Sequence, residues 1–436
     1  MSSNQAREFD IVIFGVTGLA GRYCAEQLHK SSVVDKVRWA AAGRNKNRIS
    51  EALHEVSSWL SPDLAAGLLE VPVINAVVYD SASLLAMASR TRCVINTVGP
   101  YTRWGEPVIQ ACLEAGTHLL DLSGETYYNE AMRNKHHRLA LEKGVVILPA
   151  AGFDSIPCEM MLQFAKQKFS GKINCLETFG IMKDGSLGSA INTGTWESIL
   201  EILSFSALSR MSYIRERAWK DVFSQPWQPM EFRTRRPLFI GWRSAIPGFT
   251  LPYIAADKPV ATHAEFFRRE IDPTYKRVQV QTYICTSLLK SIAILFILGF
   301  AALLSQVSWG KRLLCTYPEF FTAGFFRRGG PTRAQVLSCG FTMYGIGTGW
   351  HHGDSESSTP RKRIVVRLDG PEVGYLATSI CIVTSALCLV KETEKLSLRG
   401  GYLTPGFALE RTSLLERLQK NQFKFSVVED AAPETQ

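Results

Sequence analysis

Phe9-Asp-Ile-Val-Ile-Phe14 runs directly into Gly15-Val-Thr-Gly18-Leu-Ala-Gly21, and a helical pattern follows from Arg22 to Lys30. The first six residues are short, apolar and β-branched, as a strand buried on both faces of a parallel sheet must be. The next seven space three glycines as G-x-x-G-x-x-G, a variant of the turn that binds dinucleotides. Glycine there allows a tight turn, close approach of backbone to a pyrophosphate, and close packing of helix on strand. The helix N-terminus then offers N–H donors and a favourable dipole to phosphate. A glycine motif by itself is weak evidence; one that follows a strand and opens a helix is stronger. Gly15, Gly18 and Gly21 are therefore candidate cofactor-binding residues.

Outward from this turn the same alternation continues. Val37–Ala42 is a second strand, ending in Gly43-Arg44-Asn45-Lys46-Asn47-Arg48. A site for NAD places a carboxylate near this point to bind the ribose 2′-hydroxyl. This strand end has none and presents Arg44, which can stack on adenine and pair with a 2′-phosphate. NADP(H) is the expected cofactor; the bland alternative is a solvated basic loop. Val77-Val-Tyr-Asp80 reads as strand three, with Asp80 on the adenine side. Cys93–Val98 reads as strand four, followed by Gly99-Pro100-Tyr101. His118–Leu122 and Val145–Pro149 complete the series, with helices over Glu106–Ala115 and Tyr128–Lys143. This spacing predicts an α/β fold: a Rossmann domain with a doubly wound parallel sheet, whose ligands lie at the carboxyl ends of its strands.

The 436 residues suffice for two domains. The net charge of +9 is uneven. Arg210 to Arg277 holds 13 Lys/Arg against 7 Asp/Glu, and Lys311 to Arg363 holds 8 against 3. Between these basic stretches lies Ile292-Ala-Ile-Leu-Phe-Ile-Leu-Gly-Phe-Ala-Ala-Leu-Leu304, with no charge from Ser291 to Gly310. Positive charge beside an apolar segment suits anionic lipid better than nucleic acid, and no nucleic-acid partner is expected. The 20 uncharged residues would reach about 30 Å as a helix, enough to span a bilayer. The strongly apolar centre is shorter, which suits a buried, re-entrant or interfacial segment. Trp309, Lys311 and Arg312 would sit at headgroup level, and the aromatic stretch to Arg328 forms a second interfacial piece. Insertion from one side over 291–328 is preferred to spanning, with burial in a core or a homodimer interface as the alternative. A second uncharged stretch, Val373 to Val390, is richer in Thr, Ser and Cys and reads as a packed helix.

Ten cysteines show no C-x-x-C pair or metal-type spacing, so reduced thiols in a cytosol-facing protein are expected. The start, MSSNQAREFDIVIF, has neither a signal-peptide pattern nor an Arg-rich transit helix. His136-His137 and His351-His352 lack ligand spacing, and no metal is expected. The tail Glu429–Gln436 reads as frayed.

Asn96-Thr-Val-Gly-Pro-Tyr101, Asp121-Leu-Ser-Gly-Glu125, Ala151-Gly-Phe-Asp-Ser-Ile-Pro157, Gly370-Pro-Glu-Val-Gly-Tyr375 and Gly400-Gly-Tyr-Leu-Thr-Pro-Gly406 together resemble the saccharopine dehydrogenase-like oxidoreductases. The motifs keep their order over nearly the whole chain. They are nearest to the membrane- or lipid-droplet-associated branch and more distant from a bacterial trans-acting enoyl reductase group. The resemblance implies a Rossmann domain over 1–157 and a second α+β substrate or dimerisation domain over 158–370. A C-terminal segment, 371–436, would return to the first domain as far as Val428. By position, Gly15, Thr17, Gly18, Leu19 and Arg44 would hold the cofactor, and Gly99, Pro100 and Tyr101 would lie along its nicotinamide side. Gly152, Phe153 and Asp154 would form the crossing into the substrate domain.

Tyr101, Glu125 and Asp154 are the catalytic candidates, as ionisable groups on loops at the expected carboxyl edge. Each has a plainer role: Tyr101 packing on the nicotinamide, Glu125 binding backbone N–H groups, and Asp154 capping the helix that Pro157 opens. Thr193-Gly-Thr-Trp196 could line a pocket, although core packing suits Trp196 better. The expected function is an NADP(H)-dependent oxidoreductase acting on an apolar or lipid-linked substrate. It would work on the cytosol-facing surface of a membrane or lipid droplet, with mitochondrial association as a further location. The alternatives are a lipid-surface scaffold or redox sensor that keeps the nucleotide fold, and a literal saccharopine dehydrogenase.

Overall fold

The structure is a computed structural model that describes residues 7–203, 222–224, 230, 232–234, 239–243 and 245–429. Part of the basic stretch from Arg210 and the tail from 430 lie outside the described residues. The chain forms two compact units. The first comprises Met1–Phe153 with Gly374–Leu414, and the second Asp154–Val373 with Leu415–Gln436.

In the first unit, strands β1 (Phe9–Phe14), β2 (Trp39–Gly43), β3 (Val73–Asn75), β4 (Thr91–Asn96), β5 (His118–Asp121) and β6 (Val146–Leu148) alternate with helices. These helices include α1 (Leu19–Asp35), α2 (Lys46–Ser57), α3 (Pro62–Leu69), α4 (Ser81–Ser89), α5 (Tyr101–Ala115) and α6 (Thr126–Lys143). After the second unit the chain returns with α14 (Thr378–Lys391) and β15 (Gly401–Tyr402). The sheet order is β15-β6-β5-β4-β1-β2-β3, parallel throughout. Its central strands are apolar on both faces, and Ile11, Val12, Ile13, Val94 and Ile95 are fully buried. That double burial is why the run at Phe9 carries no alternation.

Two expectations are corrected here. Strand three is Val73–Asn75, and Val77–Asp80 is a turn whose Asp80 carboxylate accepts from Ala82 N and Ser83 N at 3.1 and 3.2 Å as the N-cap of α4. The apolar pair Val77-Val78 resembles a strand, but a short oxygen acceptor two and three residues before free N–H groups favours a cap. Helix α5 also starts five residues earlier than expected, directly after Pro100.

Helix α14 is the packed helix expected from Val373 onward. It lies on α1, β1, β4 and β5, and every residue from Ser379 to Val390 is buried.

The second unit opens with α7 (Ile156–Lys168) and β7 (Gly171–Lys183), followed by β8 (Ile191–Asn192) and α8 (Thr193–Leu203). Strands β9 (Gly241–Trp242) and β10 (Phe249–Pro252) lead to α9 (Asp257–Ile271) and β11 (Gln279–Thr286). Helices α10 (Leu288–Leu304), α11 (Ser308–Thr316) and α12 (Pro318–Phe321) come next, then β12 (Phe326–Arg327) and α13 (Arg333–Ser338). The unit is completed by β13 (Gly340–His351), β14 (Lys362–Pro371) and, from the tail, β16 (Lys424–Glu429). Its sheet runs β16-β14-β13-β7-β11-β10-β9, antiparallel except where β7 meets β11.

The unit boundaries differ from the expected ones in two places. Residues 154–157 belong to the second unit, because α7 packs on β7, β13 and β14. The tail from Leu415 joins the second unit rather than the first: Phe425 and Val427 register against Leu368 and Val366 of β14. Phe423 and Phe425 then pack on Phe341 and Phe164, with ring centroids 6.0 and 5.5 Å apart.

Helix α10 is built inside out. Leu289, Ile292, Phe296, Phe300 and Leu303 form one stripe at i, i+3 and i+4 spacing, and are 80, 52, 73, 43 and 75 % exposed. The opposite side buries Ser291, Ala301 and, just past the helix end, Ser305. An ordinary surface helix has the reverse arrangement.

Candidate functional site

The loops at the carboxyl ends of the first sheet carry most of the candidate residues, and their glycines divide by role. Gly15 has φ +102°, and a Cβ there would lie 2.7 Å from both Thr97 Oγ1 and Val98 Cγ2. The Thr97 hydroxyl reaches the carbonyls of Phe14 and Gly15, both at 3.1 Å, tying the turn to the end of β4. At Gly21 a Cβ would strike Gly15 O and come within 2.8 Å of Val16 Cα, so helix and turn pack only without a side chain. Gly18 differs: its Cβ would meet nothing nearer than Gly15 O at 3.4 Å, and its φ is −73°. The protein's own packing does not demand glycine at 18, and its Cα lies open to a group approaching from outside.

Gly18 is also the N-cap of α1 and makes no side-chain cap bond. The first-turn N–H groups of Leu19, Ala20 and Gly21 have no partners within a helix, as at any helix start. Thr17 and Gly18 are exposed beside them. Arg44, just past β2, is exposed, and Asn45 caps α2 by accepting from Arg48 N at 3.1 Å. Asn96 at the end of β4 is buried; its Oδ1 accepts from Val98 N at 3.0 Å and its Nδ2 has no partner among the described residues. An open middle glycine, a free helix start, a cation where a carboxylate would select NAD, and an orphan donor at the strand edge fit a phosphorylated dinucleotide. Asp80 is exposed and caps α4 through its Oδ1.

The catalytic candidates separate. The Tyr101 hydroxyl donates to Asn96 O at 3.1 Å and accepts from Leu122 N at 3.2 Å. Burial pushes its pKa well above the usual range, with Asp121 and Glu125 adding to the rise. Its proton is committed to a backbone carbonyl, so Tyr101 fastens the ends of β4 and β5 rather than delivering a proton. Gly99 and Pro100 join by a cis peptide and set the start of α5. Glu125 is buried, and its Oε1 accepts from Tyr101 N at 3.3 Å. This carboxylate therefore holds the first N–H of α5, where helix charge also favours it.

Asp121, quoted above within a motif but not singled out, organises the adjoining loops. Its Oδ1 accepts from Ser123 N at 2.9 Å, Ser123 Oγ at 2.6 Å and Ala150 N at 3.2 Å. Burial nevertheless raises its pKa to about 6, against those three bonds. Gly152 follows on the same edge, where a Cβ would meet Thr378 Cγ2 at 3.0 Å, and Phe153 N donates to Thr378 Oγ1 at 3.3 Å.

Asp154 is the first residue of the second unit and does not cap α7; Ser155 holds that position. The Asp154 Oδ1 accepts a short hydrogen bond from the Tyr253 hydroxyl. Burial raises the Asp154 pKa while the tyrosine bond lowers it, and the net direction is up. Tyr253 is pushed well above its usual range by burial and by the Asp154 and Asp257 charges. Asp257, in the first turn of α9, is buried, is raised well above the usual carboxylate range by burial and then by Asp154 and Glu159, and leaves Oδ1 without a partner among the described residues. Sequence reasoning missed Tyr253 and Asp257. Tyr253-Ile-Ala-Ala-Asp257 has no motif spacing, and only the fold brings them to Asp154.

Trp196 is buried as expected, with Nε1 donating to Leu314 O at 3.1 Å. His136 Nε2 bonds Glu106 Oε1 at 3.0 Å and His137 Nδ1 lies 3.3 Å from Tyr402 O, both structural roles.

Comparison with known proteins agrees with this geometry. Residues 11–148 match the model of the saccharopine dehydrogenase NADP binding domain. The mouse saccharopine dehydrogenase-like oxidoreductase is 31 % identical over 98 % of this chain and 99 % of its own length. A lipid droplet localized protein of Caenorhabditis elegans is 28 % identical over 94 % of this chain and 96 % of its own. Among solved structures, apo saccharopine dehydrogenase (L-Glu forming) from Saccharomyces cerevisiae superposes with TM-score 0.53 at 12 % identity, covering 97 % of this chain and all of that one. This last likeness concerns the fold alone. The chain belongs to the saccharopine dehydrogenase-like oxidoreductases, and its cofactor is NADP(H).

Proposed function

We propose that this NADP(H)-dependent oxidoreductase works on the cytosol-facing surface of a membrane or lipid droplet and acts there on an apolar or lipid-linked substrate. The inside-out helix α10 carries the reading. Five large apolar side chains in one stripe face outward, each favouring an apolar medium by ~1.5–3 kcal/mol on full transfer. Trp309, Tyr317 and Phe320 extend the patch at 66, 57 and 82 % exposure. Helix α10 has 17 residues, about 25 Å of length, short of the ~30 Å hydrocarbon core. Insertion from one side suits that length and leaves the return of the chain to the first unit unobstructed. The name of the worm relative, a lipid droplet localized protein, supports the same reading.

Bound NADP(H) supplies or accepts hydride, leaving the protein to orient the substrate and hold one proton. Asp154 is the chain's proton holder, because burial keeps its carboxyl protonated to higher pH and Tyr253 fixes its orientation through their hydrogen bond. Asp257 beside them is held protonated more strongly still, by burial and then by the Asp154 and Glu159 charges, since buried carboxylates do not readily share negative charge. Arg44 takes the 2′-phosphate and the turn at Gly18 the pyrophosphate.

Flotation with phosphatidylcholine–phosphatidylserine vesicles tests the surface. The wild type is expected to float and the double variant Leu289→Asp/Leu303→Asp to remain below. A wild type that stays in the bottom fraction rejects the reading. If that fraction holds a dimer that the double variant splits, the stripe is a homodimer contact instead.

The second reading, a lipid-surface scaffold or redox sensor, draws on Tyr101 and Glu125 being tied to backbone. Sustained NADPH oxidation on a lipid extract, lowered ~100-fold or more by Asp154→Asn, would eliminate it. A saccharopine dehydrogenase activity ranks third, since a membrane-facing stripe has no use in handling a soluble, multiply charged amino acid; a direct assay with saccharopine decides it.

A further inference from the structure

The inside-out stripe borders a cavity. Between α8, α10, α11 and α12 the second unit holds a half-open space of about 350 Å³, lined by Trp196, Phe296, Phe300, Leu314, Phe320 and Phe321. Its size falls within the ~300–1,000 Å³ of small-molecule sites. It is more than twice the ~150 Å³ of an engineered apolar cavity that stays dry and takes benzene. The described lining residues are all apolar in type, with Ile297 and Ala301 completing them. The one side-chain polar atom on the wall, Trp196 Nε1, is satisfied by Leu314 O at 3.1 Å. Among the described residues no side-chain donor or acceptor remains to orient a polar guest, and water would find few partners there to hold it. An apolar guest would instead regain the dispersion contacts that an empty wall forgoes.

The entrance identifies the guest. Phe296 and Phe320, 73 and 82 % exposed, belong at once to the cavity and to the outward patch. A molecule entering past them comes from whatever medium the patch faces. We propose that this cavity takes a single acyl chain, drawn from the lipid on which α10 rests. The inference depends on the lipid-surface reading for the source of the guest. It goes further in assigning a discrete site for one chain, with Phe296 and Phe320 at its mouth and Trp196 on its wall.

Trp196 supplies the measurement. Bromine quenches indole fluorescence on contact, so ω-bromoundecanoic acid, kept below its micelle concentration, is titrated into the full-length protein in detergent-free buffer. The chain has nine tryptophans, and a parallel titration of Trp196→Phe removes the signal of the other eight. Saturable quenching is expected from the ω-bromo acid and not from its α-bromo isomer, whose halogen stays beside the carboxylate at the mouth. Ala301→Phe, which fills the cavity from α10, should weaken binding at least 10-fold; the isomer comparison serves if that variant does not fold. Leu289→Asp/Leu303→Asp leaves the lining intact, so it should still be quenched although it no longer floats with vesicles. A wild type that floats but is not quenched overturns the acyl site while leaving the surface reading standing. Equal quenching by both isomers also overturns the site, as does a cavity closed by a second copy, seen as a dimer without quenching. Failure of both flotation and quenching removes both readings.

Discussion

Two of the described helices are predominantly apolar, and the fold treats them in opposite ways. Helix α14 presses its residues into the first unit against α1, β1, β4 and β5, with Ser379 to Val390 buried. Helix α10 turns Leu289, Ile292, Phe296, Phe300 and Leu303 outward and buries Ser291 and Ala301. Length and composition alone favour the buried one as a membrane span. The stretch Val373–Lys391 is long and apolar enough to cross a membrane, whereas Leu288–Leu304 falls short. Which face carries the large side chains, rather than how many there are, separates the core helix from the one with an exposed apolar stripe.

The contrast breaks most readily by charge. Ile382→Asp puts an unpaired carboxylate at a position with no solvent exposure, and should cost about 4 kcal/mol or more. The first unit should then lose its cooperative thermal transition and its NADPH binding. The Leu289→Asp/Leu303→Asp change places twice the charge on α10 and should stay within ~0.5 kcal/mol per site. Equal losses of Tm in calorimetry would remove the distinction. A smaller pair sharpens it inside α1. Gly21→Ala should destabilise by ~1–3 kcal/mol, as overpacking does, because its Cβ meets backbone only 2.8 Å away at Val16 Cα. Gly18→Ala should melt like the wild type yet bind NADPH at least ~10-fold more weakly, a loss of ~1.4 kcal/mol read by fluorescence titration.

The smallest effect concerns buried charge. Asp121 has its pKa raised from 3.8 to about 6 in the fold. A group raised in this way contributes stability that is complete below pH 3.8 and is lost as pH climbs through about 6. Asp121→Asn keeps an Oδ1 for the Ser123 and Ala150 bonds and removes the charge. It should flatten the fall of Tm over that interval and shift stability at pH 8 by no more than ~1 kcal/mol, because its new amide N–H groups need partners. An unchanged pH profile would show that Asp121 is not the group responsible.

The first sheet was legible because its signals are local. Apolar runs, glycine spacing and the Arg44 substitution each act over a few residues, and the strands from Phe9, Cys93, His118 and Val145 emerge close to where they were placed. Strand three was misplaced because Val73-Ile-Asn75 is too short to outweigh a neighbouring valine pair, and because Asp80 looks the same in sequence whether it binds a ribose or caps a helix. The site was legible only in part. Tyr101 and Glu125 were located on the correct edge, but their bonds to backbone depend on β4 and β5 lying side by side. Tyr253 reaches Asp154 across 99 residues of chain, and no spacing rule spans that gap. The tail misled for the same reason: β16 is an edge strand whose partner, β14, is chosen by the fold.

The order of the chain gives α14 one more consequence. The face of the first sheet that this helix covers, along β1, β4 and β5, belongs to strands completed by residue 121. Its cover ends at residue 391. As the polypeptide leaves the ribosome, that face therefore stays bare while the whole second unit up to β14 is synthesised, and the outward stripe of α10 emerges during the same interval. A nascent chain of intermediate length carries both apolar surfaces at once, one awaiting its own helix and the other already in its final form. If α10 rests on lipid as proposed, protection of the first and a landing surface for the second are needed at the same stage of synthesis.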